Sequence, residues 1–132
     1  MTSMEPSLFR TVFFVGMNNK RGMTPLDSRT RSGKTIDSIA DKIDARCIKT
    51  NLFEKDYLPN KEELVFVGKQ WHEKYKPGSQ DVIVLLGTWV ETNFERPTCC
   101  SVVTIPHPAS FLANRDKNKY IQTAIEKIRE NL

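Results

Sequence analysis

Short runs of apolar residues mark the strands that the sequence predicts. Residues 11–16 are rich in β-branched and aromatic side chains and end in glycine, a pattern typical of a buried strand. Residues 81–87 and 101–105 have the same character, and residues 46–50 predict a shorter strand that ends before Asn51. As a set, these runs lack regular alternation with polar residues, which indicates strands that are covered on both faces.

Apolar residues at three- and four-residue spacing predict amphipathic helices between and after these runs. One helix is expected over residues 33–45, a second opens at the capping pair Asn60 and Glu63 and ends at Pro77, and the last runs to the C-terminus. A short helical turn is expected over residues 88–94. The apolar stripes of the longer helices are formed by Ile36, Ile39, Ala40 and Ile43; by Leu64, Val67, Trp71 and Tyr75; and by Tyr120, Ile121, Ala124, Ile125 and Ile128.

The alternation of strands and helices predicts an α/β domain with a parallel sheet between two layers of helices. Right-handed crossovers bring the carboxyl ends of such strands to one edge of the sheet, where ligands bind. All 132 residues are expected to form this single domain. The segments that reach the carboxyl edge are residues 17–32, 51–57, 88–94 and 106–114.

The charge balance permits contact with nucleic acid without requiring it, since 20 Lys and Arg oppose 16 Asp and Glu for a formal net charge of +4. No apolar run approaches the ~18 residues of a membrane span, and the N-terminus lacks the apolar segment of a secretory signal. The 3 cysteines include no C-x-x-C pair, so reduced thiols in the cytoplasm or nucleus are expected. With 2 histidines beside them, no spacing predicts a metal site or a cofactor.

Polar motifs follow the first, second and fourth predicted strands. They are Gly16-Met17-Asn18-Asn19, Thr50-Asn51-Leu52 and Pro106-His107-Pro108-Ala109-Ser110. Taken singly, each is typical of an ordinary turn or Asx cap. Their order and their common place at the carboxyl edge are far more specific, because together they bring amide and imidazole groups to one candidate site.

In this order the motifs resemble those of the uracil-DNA glycosylase superfamily. Its members carry G-M-N-P-G or G-Q-D-P-Y-H after the first strand, a T-N-L-like strand end and an H-P-S-like motif before the last helix. Ser32-Gly33 at the first helix and Leu85-Leu86-Gly87 at the third strand extend the match, which covers nearly the whole chain. The resemblance implies a four-stranded parallel sheet of order 2-1-3-4. It also implies a monomer that needs no metal and hydrolyses the N-glycosidic bond of a deaminated or modified pyrimidine in DNA.

The resemblance also assigns roles at the carboxyl edge. His107 would donate to the pyrimidine O2 as negative charge develops on the leaving base, and Asn18 would orient the attacking water, since an amide cannot act as a base near neutral pH. Asn51 would read the edge of the base, because an amide both donates and accepts. The residues expected to complete the substrate-binding set are Gly16, Met17 and Ser110.

DNA contacts are expected on both sides of this site. Phe111 and Leu112 stand where the family inserts an apolar wedge into the duplex, although Phe111 could instead pack under the last helix. Basic side chains flank the same edge and could hold phosphates or form an ordinary solvated face. The basic residues assigned to DNA are Lys20, Arg21, Arg29, Arg31, Arg115 and Lys117.

Several departures from the family pattern keep other functions open. Asn19 replaces the usual proline, and residues 23–31 contain no aromatic ring to stack on a flipped base, so Leu26 or an arginine plane would have to substitute. Asp27 is either a replacement carboxylate or a turn former. The alternatives are a DNA- or base-binding module with little or no catalysis, and an enzyme that acts on free nucleosides or nucleotides.

Overall fold

The computed structural model describes residues 10–132, apart from the side chains of Phe111 and Leu112. Its strands are β1 (Thr11–Asn18), β2 (Arg46–Phe53), β3 (Val82–Leu86) and β4 (Ser101–Ile105). They form one four-stranded sheet in the order β2-β1-β3-β4, and every neighbouring pair is parallel. The predicted α/β class, the all-parallel sheet and the strand order 2-1-3-4 are therefore confirmed.

Helices cover both faces of this sheet. Their bounds are α1 (Arg31–Ala40), α2 (Lys61–Leu64), α3 (Val67–Tyr75), α4 (Thr88–Asn93), α5 (Phe111–Arg115) and α6 (Lys117–Arg129). Alternate residues of β1 enter different cores: Val12 and Phe14 pack with α1 and α6, whereas Phe13 and Val15 pack with α3 and α4. This division gives the three layers that the continuous apolar strands predicted.

The first two strands run further toward the carboxyl edge than the sequence predicted. The expectation that β2 ends before Asn51 was wrong, because the strand continues to Phe53. Gly16 lies opposite Asn51 and Asn18 opposite Phe53 in the parallel ladder, so the extended β1 supplies hydrogen-bond partners for the extra residues. The polar ends of these strands are therefore held by the sheet.

The helix expected from Asn60 to Tyr75 is broken into α2 and α3. The predicted capping box is present, since the Glu63 backbone N–H donates to Asn60 Oδ1 (2.8 Å) and Glu63 Oε1 accepts from the Asn60 backbone N–H (3.2 Å). The break leaves the side chains of Val65 and Phe66 exposed. β-Branched and aromatic residues are weaker helix formers than Leu or Ala. The break therefore falls at poor helix formers within an otherwise continuous apolar stripe.

Two other helix boundaries differ from the prediction. Helix α1 ends at Ala40 and a turn follows, although Ile43 still enters the core. The segment 106–114, expected to be a loop, contains the start of α5, which Ser110 caps by accepting from the Ala113 backbone N–H (3.2 Å). Within residues 10–132, no helix is both long enough and apolar enough to cross a membrane.

The strand order creates a topological switch point between β1 and β3. From β1 the chain moves to β2 on one side, whereas from β3 it moves to β4 on the other. In open parallel sheets, the crevice at the carboxyl ends of two such strands is where ligands bind. We therefore expect ligand-binding residues in the segment that follows β1, in the neighbouring end of β2 and in the segment after β4.

Candidate functional site

A cavity of about 270 Å³ opens at the carboxyl edge of the sheet. Its wall combines the end of β1 and the loop after it with Asn51 of β2 and His107 from the segment after β4. Of the residues that the sequence assigned to the site, it brings together Met17, Asn18, Lys20, Asn51 and His107. A larger groove of about 550 Å³ lies beside Pro106 and α6 and includes Arg115, but none of the residues assigned to chemistry.

Asn51 lies on the strand side of the cavity and is held there by close packing. It is 3% exposed, and a Cβ added at Gly16 would overlap its Oδ1 atom. Only glycine at position 16 therefore leaves room for the Asn51 amide over β1. Behind it, the Trp71 indole donates to Thr50 Oγ1 (2.9 Å), and Thr50 donates to the Phe14 carbonyl (2.9 Å). This buried chain of hydrogen bonds anchors the end of β2.

Asn18 and Asn19 line the same wall. The Asn51 Nδ2 donates to Asn19 Oδ1 at 2.7 Å, and the Asn19 backbone N–H donates to the Lys55 carbonyl at 2.9 Å. The Asn18 Nδ2 donates to the Asn19 carbonyl at 3.3 Å, a long hydrogen bond. The Asn18 amide is thus loosely held, whereas the Asn51 amide has a short contact.

His107 lies on the loop side of the cavity. Its Nδ1 accepts from the Ala109 backbone N–H at 3.0 Å. A neutral imidazole that accepts at Nδ1 carries its proton at Nε2, so this tautomer offers Nε2–H as a donor. Burial, and then the positive charge of Lys20, lower the pKa of His107 below its ordinary 6.5. The ring is therefore neutral near pH 7.

The segment that carries His107 is fixed from several directions. Gly87, with φ of +94°, lies under it, and a Cβ there would come within 3.1 Å of the His107 Cβ. The Ser110 backbone N–H donates to the His107 carbonyl (2.9 Å), and the Tyr120 hydroxyl donates to the Pro106 carbonyl. Ser110 therefore supports the turn and caps α5, and it does not line the cavity.

Asp27 reaches the cavity wall, but its carboxylate is engaged within its own loop. It accepts from the Arg29 backbone N–H (2.9 Å), from Arg29 Nε (2.9 Å) and from the second guanidinium nitrogen (2.8 Å). The Thr24 hydroxyl and backbone N–H also donate to it. Hydrogen bonds from Arg29 hold the pKa of Asp27 well below its usual range. The Asp27 carboxylate therefore stabilises this turn, and its lowered pKa makes it a weaker base than a free carboxylate.

The other basic residues that the sequence assigned to DNA do not line this cavity. Arg29 is paired with Asp27, Arg21 is exposed in the loop after β1, and Arg31 and Lys117 are the first residues of α1 and α6. Arg115 ends α5. The assignments of Phe111 and Leu112 to a DNA wedge concern side chains that lie outside the described residues.

No protein-family model, curated protein or solved structure matches this chain. The likeness to the uracil-DNA glycosylase superfamily thus rests on the motifs quoted above. Within residues 10–132, no group of three or more His, Cys, Asp and Glu side chains comes close enough to hold a metal ion.

Some residues that line the cavity were not assigned to the site from the sequence. Asn19 was named as part of the first polar motif and as the replacement of a proline but was given no role, and Met23 was named only within a segment without aromatic rings. Both line the cavity, together with Leu26, which holds a left-handed backbone conformation with φ of +50°. The apolar wall is therefore made of thioether and aliphatic side chains, which can pack on the flat face of a ring. Their position in the loop after β1 was the one signal available.

Proposed function

We propose that this protein is a DNA glycosylase that hydrolyses the N-glycosidic bond of uracil, or of a related damaged pyrimidine, flipped out of DNA. The observation that carries the proposal is the cavity in which Asn18, Asn51 and a neutral His107 meet from three separate chain segments. Its volume, about 270 Å³, is near the lower end of the ~300–1,000 Å³ of small-molecule sites. That size suits one base better than a whole nucleotide.

Recognition is assigned to Asn51. A pyrimidine such as uracil presents a carbonyl beside an imino N–H, and a side-chain amide can donate to the first and accept from the second. Asn51 is 3% exposed, so a base that fails to match its amide would leave buried polar groups unpaired. Cytosine presents the opposite pattern at these atoms and would be rejected for that reason.

Bond cleavage is assigned to His107 and Asn18. As the C1′–N1 bond breaks, its electron pair stays on the base, and Nε2–H of neutral His107 meets the developing charge at the base carbonyl. Lys20 lines the same cavity and adds a positive charge. The oxygen of a water that Asn18 orients then bonds to C1′, and the water gives up its proton to solvent. Because neither Asn18 nor the Arg29-bound Asp27 is an effective base, turnover is expected to be slow.

DNA binding is assigned to the basic side chains around the cavity. Lys20, Arg21 and Arg31 lie in or next to the loop after β1, whereas Arg115 and Lys117 lie at the junction of α5 and α6. Lys20 lines the cavity, and the α5–α6 junction follows His107, which lines the cavity from the segment after β4. Phosphate contacts on both sides would hold a duplex over the cavity without reading its sequence.

A base-binding module without catalysis is the second candidate. The engagement of the Asp27 carboxylate by Arg29 and Thr24 favours it, since no free carboxylate is then left at the cavity among the described residues. Such a module would retain DNA affinity and the response of that affinity to a uracil in the strand, but would leave the N-glycosidic bond intact.

The deciding experiment is a single-turnover assay on a uracil-containing duplex, with alkali treatment to cleave the strand at any abasic site. The proposed function predicts slow, uracil-dependent strand cleavage. The control is a matched cytosine duplex, which should stay intact because the Asn51 amide rejects cytosine. A salt titration of duplex affinity is run in parallel, because affinity that comes from phosphate contacts falls steeply with salt. Salt-sensitive binding without cleavage would support the binding module, and an absence of both would refute a DNA-directed function.

A further inference from the structure

The side-chain amide of Asn51 is hydrogen-bonded to a neighbouring polar side chain, that of Asn19. Its Nδ2 donates to Asn19 Oδ1 at 2.7 Å. Its Oδ1 accepts no hydrogen bond from any described residue, and every fully buried side-chain nitrogen or oxygen atom in that part of the chain has a partner. The Oδ1 lies over Gly16 and is not fully buried, so it remains available to a ligand in the cavity that Asn51 lines.

We infer that Asn19 is a positioning residue that determines which base edge the cavity accepts. Its oxygen holds the nitrogen of the Asn51 amide, so Asn51 offers the cavity one acceptor, Oδ1, and the second N–H of Nδ2. This pattern suits an imino N–H beside a carbonyl. Rotating the Asn51 amide by half a turn would exchange the two groups and suit the amino and ring-nitrogen edge of cytosine instead. The inference rests on the proposed function for the identity of the ligand.

Asn19 is itself held where it can do this. Its backbone N–H donates to the Lys55 carbonyl (2.9 Å), which ties the residue after β1 to the segment after β2. A half-turn of Asn51 alone would set its oxygen against Asn19 Oδ1, two acceptors at hydrogen-bond distance. Such a contact is unfavourable, because neither oxygen has a proton to share. With Asn19, reversing the Asn51 amide requires both amides to turn together, so that Asn19 Nδ2 donates to Asn51 Oδ1; an acceptor that cannot donate, as in Asn19→Asp, leaves only the orientation seen here.

Two substitutions at position 19 have opposite consequences. Asn19→Asp keeps an oxygen at this place and can only accept, so the Asn51 orientation and the preference for uracil over cytosine are retained or increased. Asn19→Leu has a similar size but no acceptor, so the amide can rotate, and the preference falls by about 3- to 10-fold, the factor that one net hydrogen bond supports. Asn131→Leu is the matched control, because the Asn131 side chain donates to the Lys127 carbonyl near the end of the chain, away from the cavity.

The test titrates each variant with free uracil and free cytosine and follows the side-chain amide signal of Asn51 by NMR, identified by its loss in Asn51→Asp. The expected result is a reduced affinity ratio and a shifted Asn51 signal in Asn19→Leu, with both restored in Asn19→Asp. An unchanged ratio in Asn19→Leu would overturn the inference. The proposed function is judged by strand cleavage of the uracil duplex. If the parent protein binds neither free base, an unshifted Asn51 signal in Asn19→Leu would overturn the inference.

Discussion

The two sides of the cavity are built in different ways. On the strand side, Asn51 belongs to β2, lies over Gly16 of β1 and bonds to Asn19, which is 32 positions away in the chain. On the loop side, His107 is held mainly by its own neighbours: its ring accepts from Ala109 and its carbonyl accepts from Ser110. Contacts across the sheet therefore define one side, and local turn geometry defines the other.

Under the proposed function, this difference predicts that the strand side determines which base binds and that the loop side determines the rate of bond cleavage. A group that must discriminate between bases needs a fixed position, and two paired strands provide it because their register cannot shift without moving every side chain. A donor that meets charge only in the transition state needs a fixed tautomer as well as a fixed position. The bond from Ala109 to Nδ1 supplies that tautomer. We therefore expect changes on the strand side to alter recognition and changes on the loop side to alter the rate.

The largest effect is expected from His107→Ala. Removing a preorganised donor to a developing negative charge should lower the single-turnover rate of uracil release by about 100- to 1000-fold. DNA affinity should stay near that of the parent, because the charge is absent from the ground state. His72→Ala is the control, since His72 lies on α3 outside the cavity and contacts the Glu95 carbonyl. Equal rates of uracil release for His107→Ala and the parent would show that His107 takes no part in bond cleavage.

A smaller effect, and one on recognition, is expected from Gly16→Ala. The added Cβ would overlap Asn51 Oδ1 and come within 3.1 Å of the Leu26 side chain, so the Asn51 amide must move away from its place over Gly16. Losing its hydrogen bonds to the base should weaken uracil binding by about 10- to 100-fold. Gly78→Ala is the matched control, because its Cβ would have only an ordinary contact, 3.7 Å from an Asp81 carboxylate oxygen. Titration with free uracil measures this loss, and a parent-like uracil affinity in Gly16→Ala would contradict the strand-side assignment.

The sequence predicted the architecture of the sheet more successfully than the exact ends of its helices. The apolar runs predicted the class and the parallel sheet, because a strand covered on both faces has no polar alternation. The strand order 2-1-3-4 came from the family resemblance, and the structure confirms it. The break between α2 and α3 was not predictable from spacing, since Leu64, Val67, Trp71 and Tyr75 form one continuous stripe on either side of it.

The sequence predicted which residues of the site lie close together, because the carboxyl ends of parallel strands converge. It did not predict the contacts between them. The rule that parallel strands share a carboxyl edge was enough to expect Asn18, Asn51 and His107 near one another, and all three line one cavity. The hydrogen bond between Asn19 and Asn51 could not be predicted, because the sequence predicted that β2 ends at Thr50. In the structure β2 continues past that residue, and Asn51 lies opposite Gly16 of β1. The pairing of Arg29 with Asp27 depends on the path of a turn that residue types alone do not determine.

The smallest effect is expected from Lys20→Met, which removes a positive charge near His107 and leaves the His107 ring in place. Burial is the main cause of the lowered pKa of His107, and the charge of Lys20 is the second. Removing that charge makes the protonated ring less unfavourable, so the pKa of His107 should rise but stay below 6.5, because burial remains. As pH falls, neutral His107 would then be lost earlier, and the acid limb of the single-turnover rate should move to higher pH. NMR titration of the His107 ring measures the pKa directly, with Lys61→Met, at the start of α2, as the control. A His107 pKa that is the same in Lys20→Met and the parent would show that Lys20 does not influence the donor, and its role would then be limited to the phosphate contacts proposed for it.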